Sequence, residues 1–167
     1  MLAAGLLSCQ TNAQAQDNNL HFSGNLVAEP CSIDTDKPLE VDFKTIILKQ
    51  LYAEGRSQSV PFNVQLKDCD VSLGTLATLT FDGDESLALP GMLTAKGTGA
   101  AGIAIGMALP DGTALPVRQP TPGNTLQQGN NTIALQAFVK ADPEAIAHQT
   151  LTPGDFTAIA TFQVAYP

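Results

Sequence analysis

The side chains best suited to covalent or metal chemistry are the cysteines Cys9, Cys31 and Cys69 and the histidines His21 and His148. A zinc site needs several such ligands at short, regular spacings. The two histidines lie far apart with no partner at that spacing, so no metal ligand is nominated. Asp82-Gly83-Asp84-Glu85 clusters carboxylates that could attract a cation weakly, but it lacks a loop supplying roughly six to eight oxygens and reads as a solvated turn. His148 stands among Gln and Thr with no serine or cysteine at hand, and His21 falls on the polar side of an alternating stretch. Gly97-Thr98-Gly99 reads as a loop rather than a phosphate cradle, and G-x-S-x-G, H-E-x-x-H, P-loop and G-x-G-x-x-G patterns do not occur. No catalytic residue or cofactor is nominated, and an enzyme is not expected.

The start of the chain points to export, and the cysteines are read from that. Met1–Leu7 is apolar and small, and Ala13-Gln14-Ala15 has the small-x-small form of a leader cleavage site. Residues 1–15 are therefore read as a signal peptide, with Gln16 opening the mature chain; no basic residue precedes Lys37, so the usual positive start of a leader is missing, and a leader that begins further upstream is one reading of that. Leu6-Leu7-Ser8-Cys9 offers a competing lipobox reading, in which Cys9 is acylated; a four-residue pattern of that kind often arises by chance. Removing the leader leaves Cys31 and Cys69, which in an exported domain most simply form one disulfide, with two free buried thiols as the alternative. The two are 38 positions apart. In the chain-entropy model a loop of that size contributes roughly 4 kcal/mol.

These groups need elements to hold them, and the composition indicates which. The chain has 167 residues, 44% hydrophobic and 14% charged, with 14 Gly, 11 Pro and no Trp. That suits one packed domain built from strands and turns. A net charge of −8 argues against nucleic acid and anionic membranes as partners. Period-two alternation marks strands at Leu20–Val27, Leu39–Phe43, Ser59–Lys67, Ala77–Phe81, Ala101–Leu109 and Thr132–Val139, with Glu29–Ile33 and Ala114–Val117 as shorter candidates. Ile46–Tyr52 reads as a strand or a short helical turn, Gln119–Asn131 as a surface loop, and Asp142–Ala145 as a loop or one helical turn.

Gly154–Pro167 reads as one long final strand. Phe156, Ala158, Ala160, Phe162, Val164 and Tyr166 fall on one face, and Ile159 is the apolar exception on the other. A long apolar strand at the end of a chain needs a cover for its edge. Leu20, Phe22, Gly24 and Leu26 near the start share a face and could supply one, within this chain or for another copy.

Taken together, Asn19-Leu-His-Phe-Ser-Gly-Asn-Leu-Val-Ala-Glu-Pro-Cys31, Phe62-Asn-Val-Gln-Leu-Lys-Asp-Cys69 and Ala160-Thr-Phe-Gln-Val-Ala-Tyr166 resemble the subunits of chaperone–usher pili, over essentially all of residues 16–167. Thr78–Phe81, Ala88–Leu93 and Asp142–Ala145 are most similar to the minor adaptor subunits of P-pilus tips. The resemblance implies an all-β, immunoglobulin-like sandwich lacking its final strand and completed by a donated one. It implies residues 16–27 as an N-terminal donor-strand extension with Leu20, Phe22, Gly24 and Leu26 as its inserted face, and residues 28–167 as the incomplete domain.

Gly154, Phe156, Phe162, Val164, Tyr166 and Pro167 are then implied as the acceptor groove and chaperone-binding residues, and Cys31–Cys69 as the disulfide. The implied partners are a periplasmic chaperone, an outer-membrane usher and neighbouring subunits, with no small-molecule substrate, and the implied location is a surface fimbria of a Gram-negative bacterium. Gln16-Asp-Asn-Asn19 makes the extension short and polar at its start, so it is expected to fill fewer pockets than a rod subunit's. Rod and terminator pilins of the same system remain alternatives. So does a self-complete periplasmic β-sandwich that binds a small ligand or carbohydrate.

Overall fold

The computed structural model describes residues 22–33 and 38–167. The leader, Cys9, Gln16, Leu20 and His21 lie outside the described residues. In chain order the elements are β1 (Ser32–Ile33), α1 (Leu48–Glu54), β2 (Val60–Cys69), β3 (Leu76–Gly83), β4 (Leu93–Thr94), β5 (Ile103–Ala108), β6 (Asn124–Thr125), β7 (Gly129–Ala141), α2 (Pro143–Ala147) and β8 (Ala160–Ala165). A large sheet runs β1-β2-β7-β5-β4 and a small one β6-β3-β8, every pairing antiparallel.

Alternation in sequence becomes burial. Val64 and Leu66 of β2 are buried while Asn63 and Gln65 are exposed, and Ile133, Leu135, Ala137 and Val139 of β7 line the same core. From the small sheet, Ala77, Leu79 and Phe81 of β3 complete it. Burying each large side chain is worth about 1.5–3 kcal/mol relative to leaving it in water. The disulfide joins Cys31 to Cys69, tying the residue before β1 to the last residue of β2.

The helical reading of Ile46–Tyr52 prevails, because Leu48, Leu51 and Tyr52 share one helical face against Ala141, Ala145 and Leu151. Gly55 closes α1 at φ 73°, a left-handed position that suits glycine, and its N–H donates to the Leu51 carbonyl at 2.9 Å. The Leu151 N–H donates to the Tyr52 hydroxyl at 3.1 Å, which ties this small cluster to the chain leading into the last strand.

Gln119–Asn131 departs from the surface-loop expectation. Its first half closes the β3 edge remote from β8: Thr121 is buried, its N–H donates to the Leu79 carbonyl at 2.8 Å, and its Oγ1 accepts from the Leu79 N–H at 3.0 Å. A polar stretch is held down here because buried backbone groups need partners. Ser57 does the same for β7, giving its N–H to the Val139 carbonyl at 2.8 Å and accepting the Val139 N–H on its Oγ at 2.9 Å.

Gly106 of β5 pairs with Phe138 of β7, and the phenyl ring lies across it. The Arg56 guanidinium stacks 3.8 Å from the ring centroid. A Cβ at position 106 would enter that ring, and moving the ring would disturb its stacking with Arg56. Gly106→Ala is therefore expected to destabilise the fold by about 1–3 kcal/mol, read as a lowered denaturation midpoint with unchanged denaturant slope.

Several expected strands are shorter or absent: Glu29–Ile33 shrinks to Ser32–Ile33, and Ala114–Val117 makes only an isolated bridge from Ala114 to Ala108. Leu39–Phe43 keeps its alternation, with Val41 and Phe43 half-buried and Glu40 and Asp42 exposed, yet forms no ladder among the described residues. The final strand spans only Ala160–Ala165 rather than Gly154–Pro167. Its expected first half turns to another neighbour: the Lys96 and Thr157 backbones exchange hydrogen bonds at 2.8 Å, and the Gly99 N–H donates to the Asp155 carbonyl at 2.9 Å. The backbones of Gly97 and Gly99 press against Asp155 and Gly154 so closely that a Cβ on either would collide. The glycines of Gly97-Thr98-Gly99 thus serve this contact.

Candidate functional site

β8 is an edge strand. It pairs with β3 from Gly83↔Ala160 to Thr78↔Ala165, and no strand lies on its other side among the described residues. Alternate N–H and C=O groups of an antiparallel strand point away from its one partner, so this side presents unpaired main chain. Its inward side chains are incompletely covered as well. Phe162, Val164 and Tyr166 are half-buried and packed on the core, while Thr161, Gln163 and Ala165 are exposed. Ala160, placed on the apolar face by parity, is exposed at the rim, and Ile159 projects outward.

The opening continues across the core. Phe62 shares its face of β2 with the buried Val64 and Leu66, yet is itself only half-buried. Phe62 meets Phe81 edge-on at 6.3 Å between centroids, and Phe81 meets Phe162 at 6.0 Å. This aromatic row forms a floor that is half-open at Phe62 and Phe162, with Phe81 buried between them. The facing wall is the unladdered stretch 38–47, whose Phe43 ring packs 6.0 Å from that of Phe156. An apolar groove with open main chain along one wall is what a missing strand leaves behind.

The named acceptor residues divide between two regions. Phe162, Val164 and Tyr166 belong to β8 or its immediate end, and Phe156 abuts the opposite wall. Gly154 lies upstream, exposed, with its backbone against Gly99, and Pro167 is exposed at the terminus. Phe43 and Phe62 escaped the sequence reading. Their parity marks them as inward, but parity does not distinguish a roofed core position from an open one.

The end of β8 and the start of the domain meet at one pole. The Tyr166 hydroxyl donates to the Cys31 carbonyl at 3.4 Å, and a Cβ on Gly74 would meet both Pro30 and the Tyr166 side chain. Burial, with Glu29 adding to it, pushes the Tyr166 phenol above the ordinary tyrosine range. From this pole Phe22–Glu29 runs outward with every residue exposed, including Phe22, Leu26 and Val27, and forms no ladder. Nothing lies within 4 Å of the place a Cβ on Gly24 would take. The apolar face of this segment thus has no use inside its own described chain.

Little else on the molecule offers chemistry. The carboxylates of Asp82, Asp84 and Glu85 are answered internally: Arg118 reaches Asp82 at 2.9 Å and Glu85 at 2.8 Å, and Lys96 reaches Asp84 at 2.5 Å. The Lys96 ammonium holds the Asp84 carboxyl below the usual carboxylate range. No trio of metal-ligating side chains converges among the described residues.

Comparison with known proteins agrees with this geometry. The family described as "Fimbrial protein" matches residues 20–167. The chain is 35% identical to Fimbria A protein of Serratia marcescens, over 99% of this chain and 94% of that one. It is 34% identical to the fimbrial adapter PapK of Escherichia coli, over 96% of this chain and 94% of that one. Among solved structures, the P pilus rod subunit PapA superposes with a TM-score of 0.71 at 25% identity, covering 83% of this chain and all of PapA (100%). A subunit of a chaperone–usher pilus, solved to explain rod uncoiling, superposes with a TM-score of 0.70 at 26% identity, covering 95% of this chain and 100% of that one.

Proposed function

Because the chain belongs to the fimbrial protein family, as a structural subunit of a chaperone–usher pilus with an immunoglobulin-like fold short of one strand, we propose that it joins its fibre by donor-strand exchange. The observation that carries this reading is the pairing of two incomplete features. One is an apolar groove beside β8 with open main chain; the other is an exposed alternating segment at Phe22–Val27 with no partner in its own described chain.

On this reading Leu20, Phe22 and Leu26 fill a neighbour's groove, and Gly24 passes over a shallow point where a side chain would clash. Phe156, Phe162, Val164 and Tyr166 receive the extension of the next subunit, with Gly154 upstream holding the turn that delivers Phe156. Before assembly a periplasmic chaperone lends a strand to the same groove, with the Pro167 carboxylate against its basic residues, and an outer-membrane usher exchanges the two. Residues 1–15 serve as the leader, residues 16–27 as the extension and residues 28–167 as the domain. Likeness to the fimbrial adapter PapK and the short polar start Gln16–Asn19 support a minor adaptor position. The protein acts as a structural part, without enzymatic activity.

The test is a chain lacking residues 16–27, expressed with the chaperone and usher of its own fimbrial system. The truncated chain is expected to co-purify with the chaperone and to be absent from sheared fibres. Its incorporation at the level of the full chain would overturn the proposal.

A further inference from the structure

Both walls of the groove trace back to one small cluster. The wall of residues 38–47 runs into α1 without a turn, since Ile47 is extended and serves as the helix N-cap at φ −83° and ψ 118°. No main-chain hydrogen bond joins residues 38–46 to another element among the described residues; the Lys44 N–H and ammonium both turn back to Asp42 at 2.8 Å. Side chains hold this wall instead. Phe43 lies against Phe156, and Ile46 packs on both the main core and the α1 cluster. A stretch with so few ties is positioned by the element it continues into, which is α1.

The other wall is led in from Leu151. After α2 the chain stays curled on that helix, the Thr150 N–H donating to the Ala145 carbonyl at 2.9 Å. The next N–H, that of Leu151, leaves α2 and donates to the Tyr52 hydroxyl at 3.1 Å. Residues 152–159 then run on to β8, held at Thr152, whose hydroxyl donates to the Thr98 carbonyl at 3.1 Å, and at Asp155 and Thr157. Leu151 itself is buried with Leu51, Ala141 and Ala145. The Tyr52–Leu151 bond therefore joins the helix that carries one wall to the segment that leads into the other. A phenylalanine ring would pack on this cluster equally well; the hydroxyl adds the directed link.

We infer that Tyr52 is a positioning residue for donor-strand exchange: its hydroxyl holds α1 to Leu151 and so sets the spacing of the two walls that grip an inserted strand. This rests on the donor-strand exchange proposed above and concerns how tightly the groove holds its occupant. Tyr52 packs in the α1 cluster rather than on the groove floor, so it acts through Ile46 and Phe43 and touches no donated strand.

The test loads the full chain with a fluorescent peptide copying residues 16–28 and follows its release after excess unlabelled peptide is added. Tyr52→Phe keeps the ring and removes the hydroxyl; the peptide is expected to leave about fivefold faster, the factor that loss of one ordinary hydrogen bond supplies. Gly106→Ala is the comparison for stability alone. It acts on Phe138, which faces away from the core residues Leu135, Ala137 and Val139 of the same strand, and its release is expected at the parent rate. In a Phe43→Ala background, where the wall has lost its ring contact with Phe156, Tyr52→Phe should no longer speed release, because the hydroxyl then has no fixed wall to position. Parent-like release from Tyr52→Phe, an equal acceleration by Gly106→Ala, or a full effect in the Phe43→Ala background would each overturn the role of Tyr52 and leave donor-strand exchange standing. A parent chain that takes up no peptide would overturn both.

Discussion

A peptide copying residues 16–28 is expected to raise the melting temperature of the disulfide-intact domain by on the order of 10 °C, through binding that is slow to reverse. Leu20, Phe22 and Leu26 would bury three large apolar side chains at about 1.5–3 kcal/mol each, roughly 5–9 kcal/mol before costs. Ordering the peptide takes back part of this, and the groove's existing walls limit how much. If a few kcal/mol remain, a domain of this size gains about 2–4 °C for each. The shift should vanish when Leu20 and Phe22 of the peptide become Asp, because a carboxylate facing the Phe62–Phe81–Phe162 floor would be desolvated without a partner. A domain indifferent to the unmodified peptide would mean that its groove is closed.

The second large effect is expected from Cys31→Ser with Cys69→Ser. Loss of the bridge relaxes a loop of 38 residues in the unfolded chain, worth roughly 4 kcal/mol. It also leaves Pro30 and Cys31 held to the end of β2 by hydrogen bonds alone, the Asp70 N–H to the Pro30 carbonyl at 2.7 Å among them, and so loosens the carbonyl that receives the Tyr166 hydroxyl. The melting temperature should therefore fall by about 8–16 °C. The peptide-induced shift should shrink as well, since the Tyr166 end of the groove loses its footing. A variant that melts with the parent chain would show that the bridge constrains nothing the fold does not already hold.

Much of this is legible in the sequence, for reasons that differ by element. β2 and β7 could be read because a buried face and a wet face alternate without interruption, which is all that parity reports. The final strand was over-read for the same reason: Phe156 and Ala158 keep parity with Phe162, while the backbone changes partners between Thr157 and Ala160. Alternation registers which way side chains point and is blind to which neighbour the main chain meets. Leu39–Phe43 shows the complement. Its pattern is that of a strand, yet it finds no ladder partner among the described residues. Composition could not expose the roles of Thr121 and Ser57, since a polar residue that substitutes for a missing strand partner looks like any loop residue. The candidate site was half visible: its β8 wall could be named residue by residue, whereas Phe43 and Phe62 needed the fold.

The bond between Cys31 and Cys69 has a mechanical meaning as well. If a fibre is pulled through its inserted extensions, tension enters each subunit at Pro30 and reaches Cys31 next. From there a covalent path leads straight to the end of β2, inside the large sheet, and skips the whole stretch between the two sulfurs. Without that shortcut, those residues could pay out under load to about 130 Å of slack per subunit. With it they carry no force, and the subunit transmits a pull at almost fixed length.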